Sequence, residues 1–245
     1  METVWVVFSI LAVGLVAVAA AQEAFESDTF KTSAGDLKFT FLGHGTLMVA
    51  FGGKIIHVDP YGSVADYGKL PKADLILITH EHQDHLDLKA LGPIRTAKTI
   101  VVANPSASKQ LEGSMVMNNG DVKTIEGLKI EAMPAYNIVH KRDTGQPFHP
   151  KGNGNGYVIT FGDKRVYLAG DTENIPEMKE LKNIDIAFLP MNLPYTMTPE
   201  MAADAAKMIK PKVLYPYHFG ETDTSKLVTL LKGTQGIEVR IRKLK

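Results

Sequence analysis

Residues 73–87 read ADLILITHEHQDHLD, an unbroken apolar run that stops at Thr79 and gives way to three histidines and an aspartate within six positions. Such a run suits a strand buried on both faces, which requires packed layers on either side of it. The polar residues then fall on the loop that leaves the strand end. On a helix, residues two apart face different ways, so His80, His82, Asp84 and His85 converge more readily from a loop. Neutral imidazoles and carboxylates are ligands for divalent ions, and four of them in six residues exceed what a solvated turn needs.

The flanking sequence agrees with a layered α/β sandwich with helices outside the sheets. DLKFTFLGHGTLMVAFGGKIIHVDP (36–60) alternates apolar and polar residues around Gly52-Gly53, the pattern of a β-hairpin. GYVITFGDKRVYLAGD (156–171) has the same pattern, and each copy runs into an aspartate, Asp59 or Asp171. Two accounts stand: a chance similarity of hairpins, or two related halves that each deliver an acid from a strand end to a shared cleft. IDIAFLPMN (184–192) and KVLYPYH (212–218) read as further buried strands, the second ending in His218. Thr198-Pro199-Glu200 starts a helix with an N-cap residue and proline at the first position. IEVRIRK near the C-terminus reads as an edge strand. The stretch NIVHKRDTGQPFHPKGNGNG (137–156) has neither periodicity, and a loop of that length in a compact domain points to function or disorder. Its Lys141, Arg142 and Lys151 form either an anion-binding rim or a solvated face.

A chain of 245 residues can bury one large core. Basic and acidic residues balance at 27 each, so no nucleic-acid partner is expected. Cysteine is absent, so any metal must be held by nitrogen and oxygen, which gives weight to the eight histidines. Residues 1–21 are apolar from Val4 to Ala21 except Ser9 and Gly14, and end in Ala19-Ala20-Ala21. They read as a signal peptide or N-terminal anchor, although the head carries Glu2 and no basic residue. The expectation is an exported protein, periplasmic or extracellular, that meets a membrane only through an uncleaved leader. A linker over 22–35 would then precede a single domain over 36–245.

H-x-H-x-D-H after a hydrophobic strand resembles the signature of the metallo-β-lactamase fold superfamily. FLGHGT, HVDP, LAGDT (168–172) and YPYH (215–218) follow in the order that family shows, over nearly the whole chain after the leader. The pattern is most similar to the branch with ascorbate-phosphate lactonase-like proteins and N-acyl-phosphatidylethanolamine phospholipase D. The resemblance implies an αββα four-layer sandwich and a metal-dependent hydrolase with two divalent ions, zinc first, with manganese or iron as alternatives. It assigns His80 and His82 to the first ion, Asp84, His85 and His218 to the second, and Asp171 to both. The family's third histidine for the first ion falls at Asn137. His140 is the favoured replacement, with His149 or Asn137 itself as alternatives. Asp59 and His44 are expected behind the ligands, and His57 as structural. A water activated by the two ions would cleave an ester, lactone, amide or phosphodiester bond of a small-molecule substrate, an anionic one suiting the basic rim. Asp84 or Asp171 would orient that water and pass on its proton. The alternative is a metal-binding protein of the same fold without turnover.

Overall fold

The alternating and continuous apolar runs form two seven-stranded sheets in the computed structural model, which describes residues 25–244. The leader expected over 1–21 lies outside the described residues, and among these no helix is long and apolar enough to cross a membrane. The first sheet holds β1 (Ser27–Thr32), β2 (Gly35–Gly43), β3 (Thr46–Phe51), β4 (Lys54–Val58), β5 (Leu75–Leu77), β6 (Ile100–Ala103) and β7 (Met115–Val116) in sequence order. The second holds β8 (Val122–Ile125), β9 (Leu128–Ala135), β10 (Gly154–Phe161), β11 (Lys164–Leu168), β12 (Ile186–Pro190), β13 (Val213–Tyr217) and β14 (Glu238–Val239). In both sheets the first four strands pair antiparallel and the rest parallel. The hairpins β3–β4 and β10–β11 hold equivalent places in the two sheets, as expected of two related halves.

Three apolar layers set the order of the sandwich. Phe39 and Phe41 of the first sheet meet Phe188 and Tyr215 of the second in the central layer, with ring centroids 5.3 Å apart for Phe39–Phe188 and 5.2 Å for Phe41–Tyr215. On the outer face of the first sheet, Ile76 and Ile78 pack with Leu91 and Ile94 of α1 (Leu88–Ile94) and Ala107 of α2 (Pro105–Ser108). On the outer face of the second, Ala187 and Leu189 pack with Ala202 and Ala206 of α3 (Pro199–Ile209) and Leu227 of α4 (Thr224–Leu231). The continuous run around β5 is thereby explained: Leu75 and Leu77 face the second sheet while Ile76 and Ile78 face the helices. α3 starts where expected, with Thr198 Oγ1 accepting from the Met201 amide at 3.1 Å.

Three elements differ from the sequence reading. The stretch 36–60 makes three strands rather than one hairpin, because Gly43–Thr46 is itself a turn. Residues 27–32, expected in a linker, form β1, in register with β2 from Ser27 opposite Thr40 to Thr32 opposite Gly35. SDTFKT is polar because it is an edge strand whose half-buried Phe30 alone packs on the core. The C-terminal edge strand is only Glu238–Val239, after which the chain turns so that Arg242 Nη2 donates to both oxygens of Asp28 at 2.8 Å. That clasp ties the last segment of the second sheet to the first strand of the first sheet.

The fold delivers the polar residues to one place. Asp59 follows β4, Thr79–His85 follows β5, Asp171 follows β11 and His218 follows β13, all at the carboxyl ends of their strands.

Candidate metal centre

The site is built outward from Asp59, which is fully buried and held at φ +45°. Its Oδ1 accepts from the Thr79 amide at 2.8 Å, and its Oδ2 accepts from Thr79 Oγ1 at 2.6 Å and from His85 Nδ1 at 2.8 Å. Because the Thr79 hydroxyl donates its proton to Asp59, the oxygen accepts from His80 Nδ1 at 3.0 Å. His80 Nε2 is left with a lone pair facing the cavity. Asp59 therefore fixes the tautomers of two histidines at once, the part that partners behind metal ligands play.

His80 Nε2 and His82 Nδ1 converge to 3.1 Å, and His149 completes this group. His149 Nδ1 donates to Asn137 Oδ1 at 2.7 Å, an oxygen that also accepts the His149 amide at 2.9 Å. Its Nε2 is thus turned inward, 3.2 Å from Asp171 Oδ2. The second group is His44, Asp84, His85 and His218. His44 Nε2 donates to Asp84 Oδ2 at 3.0 Å, and His218 Nε2 lies 3.4 Å from the same oxygen. Asp171 stands between the groups: Oδ2 is 3.6 Å from His218 Nε2 and 4.0 Å from His80 Nε2, and Oδ1 is 3.4 Å from His85 Nε2. Asp59 and Asp171, the acids of the two similar hairpins, face opposite nitrogens of one imidazole, His85.

These residues suit divalent ions on three counts. Ligand atoms about 2.1 Å from one tetrahedral ion lie about 3.4 Å from each other, which is the spacing of the convergent nitrogens and oxygens above. His85 Nε2, His218 Nε2 and Asp171 Oδ1 are buried with no hydrogen-bond partner, a costly arrangement without a ligand to share. The donors are imidazole nitrogen and carboxylate oxygen, matching borderline divalent metals.

The electrostatics agree. Burial pushes His80 well below the usual imidazole range, keeping it in the neutral form a metal requires. Burial opposes ionisation of Asp171, yet the neighbouring His218 and His85 hold its carboxyl well below the usual carboxylate range. Burial likewise disfavours a charged His85, but Asp171 and Asp59 outweigh it and push the imidazole up to about 10 in the metal-free protein. A divalent ion would take the place of that proton.

The structure separates the candidates for the missing third histidine. His140 turns away, its Nδ1 2.9 Å from Glu173 Oε1, and belongs to neither group. His149 takes the place beside His80 and His82, and Asn137 orients it from behind. His57 is buried in β4 with Nε2 donating to the Pro71 carbonyl at 3.1 Å, away from the cluster.

Sequence reasoning missed Thr79, Gly45 and Glu173. A Cβ on Gly45 would stand 3.0 Å from His85 Cε1 and 3.3 Å from His218 Cδ2, so only glycine leaves both rings room. Glu173 is buried and accepts from the amides of Ile138, Val139 and His140 at 2.8, 2.7 and 2.7 Å, and from Asn137 Nδ2 at 3.1 Å. Its place two residues after Asp171, in a stretch otherwise packed, was the available signal. His44, Asp59 and His218 are three of the six non-glycine residues with positive φ among the described ones, so backbone strain is concentrated at this site.

Two facing sheets with paired His/Asp groups at their strand ends define a metallo-hydrolase of the β-lactamase sandwich type. Residues 38–218 match the Beta-lactamase superfamily domain, and the chain belongs to this superfamily and, within it, to the UPF0173 metal-dependent hydrolase family. A UPF0173 metal-dependent hydrolase of Pelotomaculum thermopropionicum is 31% identical over 220 residues, covering 84% of this chain and 96% of the relative. The crystal structure of a protein from Parabacteroides distasonis assigned as a metal-dependent hydrolase is 52% identical with a TM-score of 0.87, over 91% of this chain and 100% of that one. Igni18, a metallo hydrolase from Ignicoccus hospitalis, is 28% identical with a TM-score of 0.71, over 85% and 95%. The chain is an enzyme, a metal-dependent hydrolase, and the alternative of a metal-binding protein without turnover gives way.

Proposed function

We propose that the enzyme works with two divalent ions, zinc first among them, one held by His80, His82 and His149 and the other by Asp84, His85 and His218, with Asp171 shared. The observation that carries this reading is the position of Asp171, whose oxygens face histidines of both groups. Bound there, the ions would supply Lewis acidity, activating water and polarising the bond to be broken. The substrate is a small molecule with an ester, lactone, amide or phosphodiester bond, the range implied by the lactonase-like and phospholipase D-like branches.

The two acids divide the remaining work by exposure. The Asp171 side chain is 4% exposed and surrounded by imidazoles, which suits it to positioning ligands at the inner wall of the cavity. The Asp84 side chain is 36% exposed and lines the open cavity, where it can orient the attacking water toward the bond to be broken. Burial opposes its ionisation, but the contacts from His218 and His44 hold its carboxyl well below the usual range, so it is a carboxylate at any working pH. His44 keeps Asp84 in place, and Asp59 does the same for His80 and His85 through Thr79.

Metal analysis tests the reading. The purified protein should carry about two equivalents of metal, lose activity on chelation, and lose about one equivalent in His149→Ala but none in His140→Ala. One equivalent in the native enzyme with full turnover would overturn the two-ion reading. The leader reading adds an exported or membrane-anchored enzyme, testable by fractionation.

A further inference from the structure

The metal cluster opens into a cavity of about 450 Å³ whose lining includes Arg142, Phe148 and Tyr195 along with Asp84 and His218. Of the three basic residues in the 137–156 loop, only Arg142 lines it. Lys151 is committed elsewhere, 2.8 Å from Glu177 Oε1 and 4.7 Å over the Tyr136 ring. Lys141 bridges through its backbone to Pro147 and lies outside the lining.

The Arg142 guanidinium is held without being neutralised. Its backbone is fixed by the turn in which its amide donates to Gln146 O and its carbonyl accepts from Gly145 N, both at 2.8 Å. Its guanidinium carbon lies 5.2 Å from the Phe148 ring centroid, and Phe148 meets Tyr195 edge to face at 5.0 Å. No described carboxylate pairs with it; the two acids in the lining, Asp84 and Asp171, are engaged by His44, His218 and His149. A planar cation braced by an aromatic ring and without a counter-ion among the described residues is suited to take a carboxylate or phosphate through a two-pronged hydrogen bond.

The geometry points to Arg142 as an anion subsite: the substrate carries, apart from the bond that is cleaved, a carboxylate or phosphate group that docks on this guanidinium. This rests on the hydrolase site proposed above and adds the charge and polarity of its substrate.

The test compares mono(4-nitrophenyl) glutarate with its neutral methyl ester on the metal-loaded enzyme, in the native chain and in Arg142→Gln, Lys141→Gln and Lys151→Gln. The native enzyme should favour the anionic ester at least tenfold in kcat/KM, and Arg142→Gln should shrink that preference about tenfold while the lysine variants keep it. A preference unchanged in Arg142→Gln, or lowered equally by the lysine variants, overturns the assignment. Calorimetric binding of glutarate and of inorganic phosphate gives a readout independent of turnover. Either ligand should bind at least tenfold more weakly to Arg142→Gln, and the one more affected identifies the group recognised. Equal binding by both proteins overturns the subsite. Failure of the native enzyme to cleave either ester, with the anion binding intact, counts against the ester chemistry and leaves the subsite standing.

Discussion

Asn137 stands where the family pattern has a metal-ligating histidine, and it does a ligand's work at one remove. Its amide is oriented by donating to Glu173 and to the Tyr195 carbonyl, so its oxygen can only accept, and the proton it accepts fixes His149 with Nε2 inward. Asn137→Leu should keep the fold and lower metal affinity about tenfold to a hundredfold, the usual cost of losing a partner behind a ligand; competition against a chromogenic chelator measures it, and an unchanged affinity would show that His149 needs no such support. His57 gives a prediction of a different kind. Burial pushes its imidazole down to about 4, against the hydrogen bond to Pro71 that favours the charged form. The unfolded chain takes up this proton near 6.5, so between 6.5 and 4 the unfolded state binds more protons and stability falls as the pH drops. The full displacement corresponds to about 3 kcal/mol. Urea midpoints at pH 7 and pH 4.5 should fall less in His57→Gln than in the native enzyme, and an equal fall would assign the pH dependence to other groups. The HEHQDH residues were legible because they are neighbours in sequence. His149 was not, because its place depends on Asn137 twelve residues away and on Glu173 beyond that.

At the scale of elements, the segment from Asn137 to Asn153 is held by very little regular structure. Its first turn hangs from one carboxylate, Glu173, whose ionised form is favoured by the amides it accepts against the cost of burial. Glu173→Gln replaces an acceptor of charge-assisted bonds by a neutral one that also brings unwanted donors. Hydrogen exchange at Ile138, Val139 and His140 should accelerate at least tenfold while the strands stay protected, and metal content should fall with it. Protection that survives the substitution would place the anchor elsewhere. The same contrast explains which elements could be read from sequence. β5 and β12 are continuous apolar runs, and α3 carries its Thr-Pro start, so local pattern and burial agree. β1 was hidden because this edge strand packs only Phe30 on the core, and the C-terminal edge strand, read correctly as a strand, is shorter than its pattern because the Arg240 and Arg242 side chains turn toward Asp28.

For the whole molecule, each proposed ion site draws ligands from both sheets: His80 and His82 with His149, and Asp84 and His85 with His218. The ions would therefore tie the halves together, and chelation should lower the urea midpoint. At a free metal concentration a hundredfold above Kd, one site contributes about 3 kcal/mol. A midpoint indifferent to chelator would mean that the core and the direct bonds between the sheets join them without help from the ions. The division of ligands has a further consequence. The chain passes from the first sheet to the second at the turn Asn118–Asp121, between β7 and β8. Cut there, the chain would leave His80, His82, Asp84 and His85 on one piece and His149, Asp171 and His218 on the other. Neither piece alone would carry a full set of the grouped side chains, so the centre exists only where the two halves of the chain meet.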